Sequence, residues 1–338
     1  MRVGLTYDLR DDYLAEGYSE DDVAEFDSVS TIDELGAALS RLGFEVDRIG
    51  NIKSLASRLV AGEHWDFVFN IAEGLAGRSR EAQVPALLEA YGIPYTFSDP
   101  LVLALTLDKA MAKRVVRDHG IPTTPFAVIE TPTDIASVEL SYPLFAKPLA
   151  EGTGKGVDAR SKITDELSLN AVCRDLLKKY RQPVLIEPYL SGREFTVGIT
   201  GTGSAAKVIA VMEVVLLANA EQGVYSYVNK EQCETLVHYG VANDAEARLA
   251  GKTALDAYRA LDCRDAGRVD LRSDGNHVPH FMEVNPLAGI HPTHSDLPIL
   301  STLAGVTYDA LIREIVGSCL TRNGLSFPQT ENGKVSVA

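Results

Sequence analysis

Two short segments hold the residue types best suited to chemistry: Gly267-Arg268-Val269-Asp270 and Phe281-Met282-Glu283-Val284-Asn285. Each reads as a strand, and Ser273-Asp274-Gly275-Asn276 between them supplies turn residues, so the pair predicts a β-hairpin. Side chains alternate along a strand. Arg268 and Asp270 therefore share one face of the first strand, and Glu283 and Asn285 one face of the second. If those faces coincide, two carboxylates and an amide oxygen converge beside a guanidinium. Hard oxygen donors with room left for phosphate oxygens and water suit Mg²⁺. Acids on strands are commonly just solvated. Phe281, Met282 and Val284 make this strand apolar, however, and a carboxylate inside it needs a partner.

A second set of residues suits an anion. Ala146-Lys147-Pro148 ends an apolar strand and leads into Glu151-Gly152-Thr153-Gly154-Lys155-Gly156. The glycines let the backbone approach a ligand and aim its N–H groups at phosphate, and Lys147 adds a point charge. Neither the Walker A pattern nor G-x-G-x-x-G in a first βαβ unit is present, and such a turn alone reads equally as a plain hairpin. Lys109, among Leu105, Leu107 and Met111, reads as a snorkelling surface residue unless a ligand claims it. Further on, an apolar strand ends in Glu187 and runs into Pro188-Tyr189-Leu190. That suits a hinge whose backbone hydrogen-bonds an adenine while apolar side chains cover its faces. Glu194, opening the next strand, can accept from ribose hydroxyls. Taken singly, Glu187 and Glu194 read as surface charge at strand ends.

The elements that must position these residues fall into three parts. A chain of 338 residues exceeds one compact core, so two or three domains are expected. Residues 1–98 alternate strand and helix: strands at 3–7, 44–49 and 66–70, and helices at 30–42, with Ser30 or Thr31 as cap, and at 80–91, interrupted near Pro85. This rhythm predicts a small parallel sheet with helices on both faces. Residues 99–188 carry a helix at 107–119 stopped by Gly120 and Pro122. Strands follow at 126–130, 143–148 and 183–188, with a helix at 165–180. Residues 189–322 carry strands at 193–200 and 207–216, a helix near 244–261, the hairpin and two closing helices. The tail, 323–338, is polar without apolar period and predicts a mobile end.

Composition narrows the function classes. A net charge of −15 argues against nucleic acid or an anionic membrane as partner, although local lysines and a metal can still hold a nucleotide. The four cysteines, Cys173, Cys233, Cys263 and Cys319, lack CxxC spacing and read as reduced thiols of a cytoplasmic protein. No signal peptide, membrane-length apolar run or internal repeat stands out.

Taken together, LDK at 107–109, AKP with EGTGKG at 146–156, LIEPYLSGREFT at 185–196, GRVD at 267–270 and MEVNPLAGI at 282–290 resemble the ATP-grasp ligases. More narrowly, their order and spacing are similar to D-alanine–D-alanine ligase and its relatives, over about residues 60 to 320. The resemblance implies an α/β (α+β) three-domain ATP-grasp fold. Its parts would be an N-terminal α/β domain at 1–98, a central subdomain at 99–188 and a C-terminal subdomain at 189–322, with ATP between the last two. It also implies an enzyme that forms an amide from a small-molecule carboxylate and amine, turning ATP into ADP and phosphate, and a homodimer.

By position, Lys109 and Lys147 match the family's phosphate lysines, with the turn of Glu151, Gly152, Thr153, Gly154 and Gly156 beside them. Glu187, Tyr189 and Leu190 match the adenine hinge, and Glu194 the ribose-binding acid. Asp270, Glu283 and Asn285 match the ligands of two Mg²⁺ ions, with Mn²⁺ able to substitute. Arg268 matches the arginine at the reacting centre. Gly289 and Ser295 fall where the acceptor carboxylate is held, with one extra residue between Ile290 and His294. Tyr225, Tyr227 and Lys230 lie in the counterpart of a mobile loop. That loop, at about 219–235, and the 152–156 turn are natural lids against hydrolysis of an acyl phosphate.

The departures cluster at the first substrate. The family's short glycine-rich loop after strand one, with its ammonium-binding Glu, is replaced by residues 8–27, which carry nine acids and one base, Arg10. That segment reads either as a solvated loop or as a reshaped donor site or lid favouring a cation. The family's His-Gly pair after the third strand is replaced by Asn70-Ile71-Ala72-Glu73-Gly74, which offers Glu73 as a substitute anchor. His291 and His294 lack a third ligand for zinc and read as active-site lining or as structural histidines. The expectation is a carboxylate–amine ligase with an altered first-substrate site. The alternatives are a true D-alanine–D-alanine ligase, a phosphotransferase on the same scaffold, and a nucleotide-binding module without catalysis. The intact set Arg268, Asp270, Glu283 and Asn285 argues against the last.

Overall fold

The computed structural model describes residues 1–221 and 223–329. The first sheet contains β1 (Arg2–Thr6), β2 (Glu45–Gly50) and β3 (Phe67–Asn70), parallel and in the order β2-β1-β3. Parallel strands are covered on both faces. Here Val3, Leu5, Phe67 and Phe69 join one core with Leu35 and Leu39. Trp65, Val68, Leu55 and Leu59 build another. The first helix of that cover is Val29–Arg41, capped by the extended Ser28, whose hydroxyl accepts from the Thr31 amide. Ser30 and Thr31 are thus inside the helix rather than its cap. A further helix, Ile52–Val60, adds to the expected set; Asn51 caps it, and Leu55 and Leu59 share its buried face. The stretch at 80–91 splits into a 3₁₀ turn, Arg80–Ala82, and a helix, Gln83–Ala90.

The acidic segment is not simply solvated. It contains a short helix, Arg10–Ala15, and its Tyr13, Val23 and Phe26 pack together in a small apolar cluster.

The second sheet is antiparallel, β4 (Ala127–Ile129), β5 (Leu144–Pro148), β6 (Lys162–Ile163) and β7 (Val184–Pro188), in the order β4-β7-β5-β6. Helix Glu166–Tyr180 starts from an Asp165–Ser168 capping box and buries Leu169, Val172, Cys173 and Leu176 against it. The helix expected at 107–119 is Lys109–Asp118, and an additional helix, Pro100–Leu107, precedes it. Asp108 is extended between them, and its carboxylate accepts from the Met111 amide. A side chain that caps offers the backbone an alternative to continuing the helix, and it makes Lys109 the first residue of the new one.

The third sheet is β8 (Glu194–Thr200), β9 (Lys207–Leu216), β10 (Val237–Val241), β11 (Ala266–Ser273) and β12 (Pro279–Asn285), antiparallel, in the order β10-β9-β8-β11-β12. One face carries Val197, Val269 and Leu271 and packs on the small-residue stripe Ala247, Ala250, Ala254 and Ala257 of helix Ala245–Ala260. Arg268 and Asp270 alternate to the other face. The helices Asp296–Leu303 and Tyr308–Arg322 close the chain, and Ile312, Ile315 and Val316 join the core of the first sheet.

The start of the tail departs from the expected mobile end. Leu325 and Phe327 pack on that core, Phe327 lying 6.0 Å from the Phe44 ring, because two apolar side chains in a polar stretch suffice to dock it. Residues 330–338 of that expectation lie outside the described residues. Among the described residues no helix is long and apolar enough to cross a membrane.

Candidate active site

The hairpin forms in the register that brings its polar faces together. Arg268 lies opposite Asn285, and Asp270 opposite Glu283, with a register shift just after Asp270. Asp270 also pairs across to β8, where the Thr196 hydroxyl donates to its Oδ1 at 2.9 Å. Arg268 contacts Asp270 and approaches Asp296 at 3.5 Å. Burial opposes its charge, but Asp270, Asp296 and Glu283 together push its pKa above the ordinary arginine value.

Both candidate phosphate lysines converge on Glu283. Lys109 Nζ lies 3.4 Å from its carboxylate and donates to the Glu151 carbonyl at 2.5 Å. Lys147 Nζ is 3.9 Å away. Burial raises the Glu283 pKa, but Lys109, Lys147, Lys230 and Arg268 outweigh it and hold the carboxyl below its usual range. Lys109 is buried and therefore no snorkelling surface residue.

Glu187 differs from its reading as an exposed hinge acid. Its side chain is 0% exposed and meets the helix Lys109–Asp118 through Lys113. It pairs with Lys113 at 2.8 Å and Lys147 at 3.3 Å, and accepts from the Thr124 hydroxyl at 2.7 Å. Burial pushes its pKa up, but Lys113 and Lys147 together bring it to about 2. Lys113 is a buried partner of Glu187 that the sequence reading misses. It lies four residues after Lys109, hence on the same helical face, which is the available signal. Fully buried, it also donates to Thr123, Thr124 and the Phe281 carbonyl.

Two cavities meet at the hairpin. The smaller, about 100 Å³, lies between β5, β7 and the hairpin and is bordered by Lys147, Tyr189, Leu190, Glu194 and Asp270. Its Tyr189 ring has Lys162 4.4 Å and Arg272 5.0 Å from its centre. Glu194 faces Arg272 at 3.4 Å, and burial raises its pKa against the pull of Arg272 and Lys230. The larger, about 520 Å³, is bordered by Glu73, Arg268, Gly289, His291, His294 and Ser295. Lys109, Glu151, Tyr225, Lys230 and Glu283 border both.

The glycine-rich turn divides in its exposure. Gly152 and Thr153 border the larger cavity, and Gly154 the smaller. Thr153 holds a positive φ of 48°, and its buried hydroxyl has no partner among the described residues. Gly156 faces neither cavity. A Cβ there would lie 2.5 Å from Pro148 and 2.8 Å from Tyr180, so that glycine permits close packing instead of ligand approach. The turn is tied to the acidic segment. The Gly152 amide donates to Glu25 Oε1 at 2.5 Å, and the other oxygen of Glu25 pairs with Arg80 at 2.7 Å.

At the far end, a Cβ on Gly289 would meet the Ser295 hydroxyl at 2.7 Å, so the turn between them closes only with glycine. The Ser295 hydroxyl accepts from the His291 amide at 3.0 Å. The His291 and His294 rings lie 4.8 Å apart, with His291 Nε2 3.2 Å from the Ser30 hydroxyl. In the 219–235 loop the Tyr225 hydroxyl lies 2.5 Å from that of Tyr239, and Lys230 sits 4.8 Å from the Tyr225 ring centre.

The donor set fits Mg²⁺ carried by a polyphosphate. Asp270, Glu283 and Asn285 are hard oxygen donors on one surface, and among the described residues no cluster of three or more His, Cys, Asp or Glu forms a closed protein cage. Mg²⁺ favours such sparse sites, with phosphate and water completing its octahedron. The orphaned Thr153 hydroxyl and the neighbouring Lys109 and Lys147 fit the phosphates.

Residues 115–317 match the family model of the D-ala D-ala ligase C-terminus. The D-alanine–D-alanine ligase of Bordetella petrii is 34% identical over 268 residues, 78% of each chain. The uncharacterised protein y4sG of Sinorhizobium fredii is 32% identical over 252 residues, 74% of this chain and 73% of that one. Among solved structures, D-alanine–D-alanine ligase from Bacillus anthracis complexed with ATP shares the fold with a TM-score of 0.71 at 22% identity, covering 96% of this chain and 99% of that one.

Proposed function

The chain belongs to the D-alanine–D-alanine ligase family of ATP-dependent ATP-grasp ligases, and we propose that it joins an amino-acid-like carboxylate to an amine at an altered first-substrate site. The observation that carries this reading is the junction of two cavities at Lys109, Glu151 and Glu283, with Arg268 and Asn285 on the wall of the larger one. One is small, suits a nucleotide and is flanked by Lys147 and Glu194. The other is larger, and its wall includes the acidic segment through Glu25 and Asp27.

In this reading Tyr189 and Leu190 cover the adenine and Glu194 accepts from the ribose. Lys109, Lys147 and the amides of Thr153 and Gly154 hold the phosphates, and Asp270, Glu283 and Asn285 would hold Mg²⁺. ATP supplies the phosphoryl group that makes the carboxylate an acyl phosphate, from which the amine displaces phosphate. Arg268 and the backbone at Gly289 offer positive charge and donors to the oxyanion that develops during that displacement. Ser295 and the turn from Gly289 orient the acceptor. Tyr225 and Lys230, with Glu25 holding the glycine-rich turn from the other side, exclude water from the acyl centre. Glu187 and Lys113 hold Lys147 in place from behind.

D-Alanine with D-alanine is then a poor substrate pair, because residues 8–27 and Glu73 stand where the family's glycine-rich loop and its ammonium anchor would be. A phosphate-release screen of paired D- and L-amino acids, with mass spectrometry of products, tests the reading. Phosphate released only when carboxylate and amine are both present supports a ligase. A stable phosphorylated product points to a phosphotransferase. Efficient D-alanyl-D-alanine synthesis, with KM in the usual range of roughly 1 μM to 1 mM, overturns the altered donor site.

A further inference from the structure

We infer that the first-substrate pocket takes a donor with two positive charges, a diamino or guanidino acid whose cations are met by Glu73 and Glu81; the inference rests on the ligase reading above. Several acids border the donor end of the larger cavity, and most are already matched. Glu25 is paired with Arg80 and accepts from the Gly152 amide. Arg10 is engaged with Glu20. Glu73 and Glu81 differ. Both border the cavity, and neither forms a hydrogen bond or ion pair with any described residue. Glu81 is only 7% exposed, and its carboxylate feels Arg80 and Lys109 without a hydrogen bond to either. An unpaired buried carboxylate is costly and takes up a proton unless a cation reaches it, and the cavity is the route by which a ligand cation can.

The protein's own cations serve only from a distance, because their hydrogen bonds go elsewhere. Arg80 is held by Glu25 and by the Ala150 carbonyl at 3.0 Å. Lys109 is held by Glu151 and Glu283. Nor does the arrangement suit a metal ion, since among the described residues no three His, Cys, Asp or Glu side chains are grouped to bind one. An organic cation remains. The α-ammonium of a simple amino acid matches one carboxylate and leaves the other bare, so a second cationic group completes the balance. With no cation bound, the two acids are pushed toward their protonated forms, and a dicationic donor would favour both carboxylates. Burial, then Glu81 and Glu25, push Glu73 well above its ordinary pKa, and burial lifts Glu81 to about 7 against the opposing pull of Arg80. Asp27, on the same wall, is lifted to about 7 by burial and Asp8. A cavity of about 520 Å³ also falls in the size class that encloses whole small-molecule ligands.

The test uses the full chain with MgATP and excess hydroxylamine as the amine, so that the hydroxamate formed reads the activation of each acid as donor. Diaminopropionate, diaminobutyrate, ornithine, lysine and arginine, in D and L forms, are compared with alanine, aminobutyrate, norvaline and norleucine. At least one basic donor should exceed its neutral counterpart in kcat/KM by about tenfold or more, the scale of one charge-assisted hydrogen bond. Glu81→Gln and Glu73→Gln should each erase most of that preference through donor KM, with KM for ATP unchanged. Equal kcat/KM for basic and neutral donors, or a preference that survives both variants, overturns the inference. If no acid yields a hydroxamate, the ligase reading fails, and calorimetric titration of ornithine against norvaline onto the ADP-loaded wild-type protein decides the pocket separately. Preferential ornithine binding upholds the cation site, and equal binding removes it. The same titration replaces either variant that does not fold.

Discussion

Replacing Glu187 by Gln keeps the shape of the side chain and removes its charge, which isolates the electrostatic role of a residue that touches no ligand. In the native protein one carboxylate serves two buried ammonium groups, Lys113 at 2.8 Å and Lys147 at 3.3 Å. The carboxyl moves from an ordinary 4.5 to about 2 despite complete burial, which corresponds to about 3 kcal/mol at about 1.4 kcal/mol per pH unit. The sign follows from the direction. A carboxyl with a depressed folded pKa contributes stability that is present above about 4.5 and is lost as pH falls toward about 2. At neutral pH the variant leaves Lys113 fully buried without a counter-charge, and breaking a buried pair from one side costs about 3–5 kcal/mol. The transition reporting on this region should fall by roughly 5–15 °C. Calorimetry at pH 7 measures the fall, and ATP titration by calorimetry should show weaker binding because Lys147 loses its orienting partner. Adding Lys113→Met should recover part of the lost stability, since no unmatched cation then remains in the core. A single variant that melts within about 1 °C of wild type and binds ATP unchanged would refute the reasoning.

The other expectations concern catalysis and pH. Glu283→Gln and Asp270→Asn should each abolish turnover while circular dichroism stays native; a near wild-type rate would remove them from metal binding. Lys147→Ala should weaken nucleotide binding and lower kcat together, and unchanged values would make that lysine structural. Glu81 and Asp27 have folded pKa values raised to about 7. A raised acid contributes stability that is full below its unfolded pKa, near 4, and is lost as pH rises through about 7. The melting temperature of the substrate-free protein should therefore decline between about pH 5 and 8, and less steeply in Glu81→Gln; a parallel decline would assign it to other groups. Glu25→Ala should free the glycine-rich turn and raise wasteful ATP hydrolysis relative to amide formation, read as phosphate released per product formed.

Much of this protein is legible in local pattern. Alternation alone puts Arg268 with Asp270 and Glu283 with Asn285, and two-residue steps hold whatever the strands pack against. Strand and helix positions follow from apolar period and from caps such as Asp165 and Asp244. The places where local reading misleads are those where a side chain's direction depends on distant segments. Glu187 reads as a surface acid because nothing adjacent to it is basic, yet Lys113 and Thr124 reach it across the fold. The helix Pro100–Leu107, which ends at Asp108, has no counterpart in the local reading. The acidic segment reads as solvated or functional with equal ease. Only packing shows that Glu25 spans 127 residues of sequence to reach Gly152, while Glu73 and Glu81 are left without partners. Composition and spacing determine which groups a chain owns and which neighbours share a face. Which charges meet inside, and which stay unmatched, is decided by tertiary packing, because desolvation and pairing energies depend on distances that sequence separation does not contain.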